Sequence, residues 1–222
     1  AEPNQVIFTS GGTEADNLAV IGAALAAAAA GRPMHAAACA TDHKAVLAAA
    51  HAVTRLGGTE SILPVDRRGV VDLAALDRTL EASPAVVSVM WVNNEVGTIQ
   101  PVEEIGRRCR AAGAMFHTDA VQAFGQLPVS VEAADATLLT LSGHKIGAPK
   151  GIGALVVRSR AAVEAIIHGG SQQFGLRPGT ENVAGSVALG RAAELAAGEQ
   201  GEKAARLGRL RDELAARIRA AI

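Results

Sequence analysis

Short β-like runs alternate with helical stretches along nearly the whole chain, and this alternation narrows the possible folds more than any other feature. Residues 6–8 read as a strand and 13–30 as a helix. Residues 35–40 form a second apolar run, followed by a helix over 44–56. Residues 61–65, 86–92, 114–118, 137–141 and 154–157 read as further strands. Helices fit 73–80 and 102–112, the latter opened by Pro101. From Val183 onward the pattern is helical, with Gly198 and Gly201 as the expected break. The run 86–92 is almost continuously apolar, as in a strand buried on both faces. Together these elements predict an α/β fold, a mostly parallel sheet with helices on both faces.

In such sheets ligands bind beyond the carboxyl ends of the strands, so chemistry-bearing residues should gather there. They do. Ser10, Gly11, Gly12, Thr13 and Glu14 follow the first strand, and Thr41, Asp42 and His43 the second. Asn93, Asn94 and Glu95 follow residue 92, Asp119 and Gln122 follow 118, and Ser142, Gly143, His144 and Lys145 follow 141.

Composition sets limits on function. The 222 residues carry a net charge of -1 with no long basic run, which argues against nucleic-acid binding. Hydrophobic residues make up 49%, much of it alanine, and aromatics only 2%, so the core must rest on small side chains with Val, Ile and Leu. Cys39 and Cys109 are too few and too far apart for a disulfide framework or zinc motif, which suggests a reducing, cytoplasmic setting. No signal peptide is visible, and the apolar stretch 23–30 is far short of the ~20 residues a membrane span needs. The chain begins at Ala1 without Met and finishes inside a helical pattern, so it reads as a piece cut at both ends.

Gly11, Gly12 and Thr13 open a helix, where glycines let the backbone approach an anion and free N–H groups point at it. Capping by Ser10 or Thr13 would account for the same residues. Lys145 follows an apolar strand. A lysine buried there would have a lowered pKa suited to a Schiff base, whereas on a surface loop it would be unremarkable chemically. Asp119 could be the carboxylate that a pyridoxal ring needs beside its nitrogen, or the cap of a following helix. His43 and His144 stand at strand ends, while His35, His51, His117 and His168 read as surface or packing residues. Zinc held by His43, His117, Asp119 and His144 fits on ligand type alone, without HExxH or CxxC spacing, and no metal is expected.

As a set, these segments resemble the cysteine desulfurases, fold-type I pyridoxal-phosphate enzymes of the class-V aminotransferase group. The resemblance rests on FTSGGTEADN (residues 8–17), DHKAVL (42–47), VNNEVGTIQP (92–101), FHTDAVQA (116–123), LSGHKI (141–146), PKGIGA (149–154) and RPGTENV (177–183). It extends to about Ala197, and the last motif looks nearer the nitrogen-fixation-type branch. The resemblance implies pyridoxal 5'-phosphate as cofactor and removal of sulfur from L-cysteine to give alanine and a persulfide. Lys145 would carry the Schiff base, Asp119 pair with the ring nitrogen and Gln122 bond the ring oxygen. His43 would stack on the ring and move protons, and Asn94 would help bind the ring oxygen or the substrate carboxylate. Gly12, Thr13, Ser142 and His144 would hold the phosphate. Thr180 would reach the phosphate of a neighbouring subunit, which implies a homodimer. A sulfur acceptor or iron–sulfur scaffold protein would be the partner, with no membrane involved.

Departures accompany the likeness. Neither Cys39 nor Cys109 stands where the family has its sulfur-accepting cysteine, and that residue and the substrate-clamping arginine would lie beyond Ile222. Gly147 replaces a bulkier residue. Residues 1–182 are expected to form the cofactor domain and 183–222 a helical connection to a small domain. A selenocysteine lyase, another β-elimination lyase, and a truncated non-catalytic paralogue are the competing readings.

Overall fold

The computed structural model describes residues 1–222, the side chain of Ala161 aside. One seven-stranded sheet runs in the order β1-β7-β6-β5-β4-β2-β3. Its strands are β1 (Val6–Thr9), β2 (His35–Cys39), β3 (Thr59–Leu63), β4 (Val86–Ser88), β5 (Met115–Asp119), β6 (Leu138–Ser142) and β7 (Gly153–Val157). Only β7 runs against its neighbours, β1 and β6. The pairs β2–β3, β2–β4, β4–β5 and β5–β6 are parallel. The expected mostly parallel sheet is therefore present, and the carboxyl ends of all strands but β7 share one edge.

Helices α1 (Gly12–Ala29) and α2 (Lys44–Arg55) cover one face, and α3 (Leu73–Glu81) and α4 (Val102–Ala111) the other. Strand β2 shows why the sequence permits this. Its Ala36 and Ala38 join Leu18, Val20, Val46 and Val53 on the first face. Ala37 and Cys39 join Leu76, Ile105 and Phe116 on the second. Period-two alternation with apolar residues on both sides marks a strand buried on both faces. Alanines on the strand let the helices approach, and each buried Leu, Ile, Val or Phe contributes roughly 1.5–3 kcal/mol. The alanine-rich run 23–30 packs as part of α1, and no helix among the described residues is long and apolar enough to cross a membrane.

Two expectations about elements need correction. The strand expected over 86–92 is regular only to Ser88. Pairing with β5 continues through Val89 N–H to His117 O and Trp91 N–H to Asp119 O, but the Met90 N–H donates to Asp42 Oδ1 at 2.6 Å instead of to a strand on the β2 side. The break expected at Gly198 and Gly201 is absent, because α5 runs unbroken over Val183–Ala221. Glycine in a helix interior costs only about 1 kcal/mol relative to alanine, and the surrounding Ala, Glu, Lys, Arg and Leu favour the helix. Gly185, Leu189 and Ala192 anchor its start, the last two packing with Ala148, Ile152 and Ala154. Further along, Leu207, Leu210, Leu214 and Ile218 are exposed at spacings that line one face.

Candidate active site

The shared edge holds a cavity of about 220 Å³, lined by Gly12, Thr13, Asp16, His43, Met90, Asn94, Asp119, Val121, Gln122, Ser142, His144 and Lys145. Five chain segments that follow β1, β2, β4, β5 and β6 contribute to it. Such a volume suits a single-ring ligand rather than a dinucleotide.

The amino end of α1 forms one wall. Gly11 is its cap and makes no side-chain cap bond, so capping by Ser10 or Thr13 does not explain this segment. Among the described residues, the amides of Gly12, Thr13 and Glu14 donate to no protein acceptor. Free amides at a helix start, with the helix dipole behind them, favour an anion. A Cβ on Gly12 would lie 3.2 Å from Val121 Cγ2 and 3.5 Å from Ser142, so glycine keeps this cradle open. Ser142 Oγ and His144 Nδ1 face one another at 2.9 Å on the adjoining wall.

Asp119 ends β5 and is buried. Its Oδ1 accepts from Val121 N–H at 2.8 Å. No helix follows, so this is a local turn rather than the helix cap that the sequence also allowed. Burial raises its pKa, opposed by the Val121 N–H and by the neighbouring basic groups of His43 and Lys145. A carboxylate so placed can hold a proton on a ring nitrogen.

His43 caps α2, with Nδ1 accepting from Ala45 N–H at 3.2 Å. In the neutral ring the proton therefore sits on Nε2. Asn94 lines the cavity, whereas its neighbour Asn93 is buried and structural, donating to Thr41 O and accepting from Glu95 and Val96 N–H. Gln122 lines the cavity as expected.

Lys145 also lines the cavity, and of the two placements the sequence allowed, buried or exposed, the structure has the exposed one. The chain leaves β6 through a 3-10 turn, Gly143–Lys145, that lifts the side chain to the exposed rim. Gly147 follows with φ +91 and nothing within 4 Å of a Cβ position. A bulkier residue would find room there but an unfavourable backbone.

Thr180 is exposed and lies outside the cavity of its own chain. Two candidate zinc ligands are already engaged, because His117 is fully buried between Ser88 Oγ and Thr140 Oγ1 at 2.8 and 3.0 Å, and His144 faces Ser142. The buried Cys39 and Cys109 thiols are pushed up to about 11 and about 12 by desolvation, so neither is a poised nucleophile.

The sequence reading missed Asp16, which is 1% exposed. Helical spacing could have found it, one turn beyond Gly12 and Thr13. It also missed the part of Asp42, whose two oxygens accept from Met90 and Cys39 N–H and tie the ends of β4 and β2 together beside His43.

The profile of a family described as "Aminotransferase class-V" matches residues 1–221. The cysteine desulfurase IscS of Dictyoglomus turgidum is 43% identical over 212 residues, which cover 96% of this chain and 53% of that protein. A solved structure described as a NifS-like protein superposes with a TM-score of 0.92 at 37% identity, covering 97% of this chain and 59% of its own. Another, SspA in complex with cysteine, has a TM-score of 0.82 at 35% identity, with 87% of this chain and 56% of its own covered. The chain thus spans about half the length of the curated relatives it matches.

Proposed function

The chain belongs to the aminotransferase class-V family, and from that premise we propose that it is the cofactor-holding part of a pyridoxal-phosphate-dependent cysteine desulfurase. The observation that carries this reading is the convergence of Lys145, Asp119, His43 and the open amino end of α1 in one cavity. It is reinforced by the desulfurase names of the relatives. Residues 1–182 would form the cofactor domain. Residues 183–222 would form a helical connection towards the second domain that relatives of nearly twice the length have room for.

The residues fit the cofactor. Gly12 and Thr13, with Ser142 and His144, would hold its phosphate. Asp119 would face the ring nitrogen, Gln122 and Asn94 would bind polar groups on the ring or the substrate, and His43 would cover the ring. Bound there, pyridoxal phosphate supplies an aldehyde that takes up an amine and a cationic ring that draws electrons from it.

Lys145 would supply the amine, and its place on the exposed rim gives it room to withdraw as substrate enters and to return as product leaves. Asp119 would keep a proton on the ring nitrogen; a charge-assisted hydrogen bond of this kind is worth ~1.5–3 kcal/mol. His43 gives or takes a proton at Nε2, since Nδ1 is held by the Ala45 amide. The substrate is L-cysteine and the products are alanine and protein-bound sulfane sulfur. The thiolate that takes the sulfur is neither Cys39 nor Cys109. Thr180 would complete the phosphate site of a second subunit in a homodimer, and a sulfur-acceptor or iron–sulfur scaffold protein would take the product onward.

The test is on the full-length protein. Reconstituted with pyridoxal phosphate, it should show a visible absorption band that borohydride removes, and should release alanine from cysteine. Lys145→Ala should abolish both. Full turnover by Lys145→Ala would overturn the assignment.

A further inference from the structure

Asp16 poses a problem that the roles above do not solve. It lies in the second turn of α1, is 1% exposed, and lines the same cavity as Asp119. Among the described residues its Oδ1 has no hydrogen-bond partner. The nearest basic group is His117 Nε2 at 3.7 Å, and that nitrogen already meets Thr140 Oγ1 at 3.0 Å. Nor can His117 act as a counter-ion, because desolvation pushes its pKa down to about 3. A buried carboxylate with no cation beside it and one oxygen left without a hydrogen bond is strongly disfavoured.

The second constraint comes from Asp119. Ligating atoms of Asp16, His43 and Asp119 all lie within 4.8 Å of one another. Two carboxylates that close in a buried site cannot both ionise readily. The surroundings decide which keeps the charge. Asp119 has the Val121 N–H and the neighbouring basic groups of His43 and Lys145 in its favour. Asp16 has burial, Asp119 and Asp42 against it and only the Thr140 hydroxyl for it, so its pKa is raised well above the usual range.

We propose that Asp16 is a positioning residue of the cofactor site: a neutral carboxylic acid in the cavity wall that leaves the single negative charge of this carboxylate pair on Asp119. This rests on the reading of the cavity as a pyridoxal-phosphate site. The acid acts through Asp119. It keeps the cavity at one carboxylate for one ring cation. The other titratable groups around it are Asp42 and His43 from the β2–α2 turn, His117 from β5, and His144 and Lys145 after β6.

Two measurements on the full-length protein test this. Infrared spectra of the cofactor-free protein at neutral pH should show the carbonyl stretch of a buried carboxylic acid, and Asp16→Asn should remove it. Asp42 can contribute a band of its own, so the loss in the variant makes the assignment. After reconstitution, the pH midpoint of the visible band should agree between wild type and Asp16→Asn to within about half a unit, because asparagine mimics the neutral acid. Were Asp16 ionised, removing its charge would lower the midpoint by roughly a unit or more. Absence of the infrared band, or such a shift, would overturn the proposal. If no visible band forms even in wild type, the cofactor reading fails, and the infrared result still decides the state of Asp16.

Discussion

The Arg177 guanidinium reaches back across the chain to Glu14, Nε to Oε1 at 2.7 Å, and so ties the segment leading to Thr180 to the first turn of the cavity helix. Glu14 also accepts from Ser10 N–H at 2.8 Å, and these bonds hold its carboxyl below the usual range against the effect of burial. Both side chains are partly shielded, so the pair should matter more than an exposed one. Arg177→Ala should destabilise the protein by ~1–2 kcal/mol. Denaturant titration of Arg177→Ala, Glu14→Gln and the double variant should show coupling. Strict additivity would mean the two residues act independently.

His117 should make stability depend on acid pH. Its folded pKa, about 3, lies below the ordinary 6.5. The unfolded chain therefore binds the extra proton between these values. Stability rises with pH through that window and is lost as pH falls through it, by up to roughly 1.4 kcal/mol per unit. Asp16 and Asp42, both raised by burial, act in the opposite sense as pH rises. Comparing wild type with His117→Gln isolates the histidine, and the stability of wild type relative to the variant should rise with pH between 3 and 6.5. Equal slopes would show that His117 accepts a proton while folded.

The two thiols should be silent in the folded protein. Cys39 and Cys109 are fully buried with raised pKa values. An aromatic disulfide reagent at pH 8 should label neither until denaturant is added. Rapid native labelling of Cys39 would reopen the question of a nucleophile within these residues.

The His43 tautomer can be read directly. With Nδ1 accepting from Ala45 N–H, nitrogen-15 shifts should place the proton of the neutral ring on Nε2. His43→Ala removes the cap of α2 and should destabilise by ~0.5–2 kcal/mol, whereas His43→Asn should recover much of this. A Nδ1–H tautomer would exclude both the cap and the proposed proton route.

Gly153→Ala tests the packing beneath the phosphate cradle. A Cβ there would lie 2.7 Å from Gly11 Cα and 2.8 Å from Leu141 O, both backbone atoms that cannot swing aside. A loss of ~1–3 kcal/mol is expected, with weaker retention of pyridoxal phosphate as Gly11 and Gly12 are displaced. Unchanged stability and retention would mean that this approach is looser than the geometry states.

Much of the fold and most of the cavity were legible because they follow from short-range pattern. Strand and helix periods placed nearly every element within a residue or two. The carboxyl-edge rule then marked Gly12, Thr13, His43, Asn94, Asp119, Gln122, Ser142, His144 and Lys145, all of which line one cavity. The errors share a different cause. Past Ser88 the pairing towards β2 is interrupted by the Asp42 carboxylate, 48 positions away in sequence from Met90. That α5 passes Gly198 and Gly201 depends on summed propensity along the whole helix, which outweighs two local breakers.

By itself, then, the sequence determined the alternation of elements, the buried character of the strands, and the set of polar groups at their ends. Only the tertiary structure decided which of those groups meet and in what state. It lifts Lys145 to the rim, separates Asn94 from Asn93, and leaves Thr180 outside its own cavity. It also places Asp16 beside Asp119 with no partner for its Oδ1. Periodicity is a local property of the chain, whereas desolvation and the energy of two charges depend on distances between residues far apart in sequence.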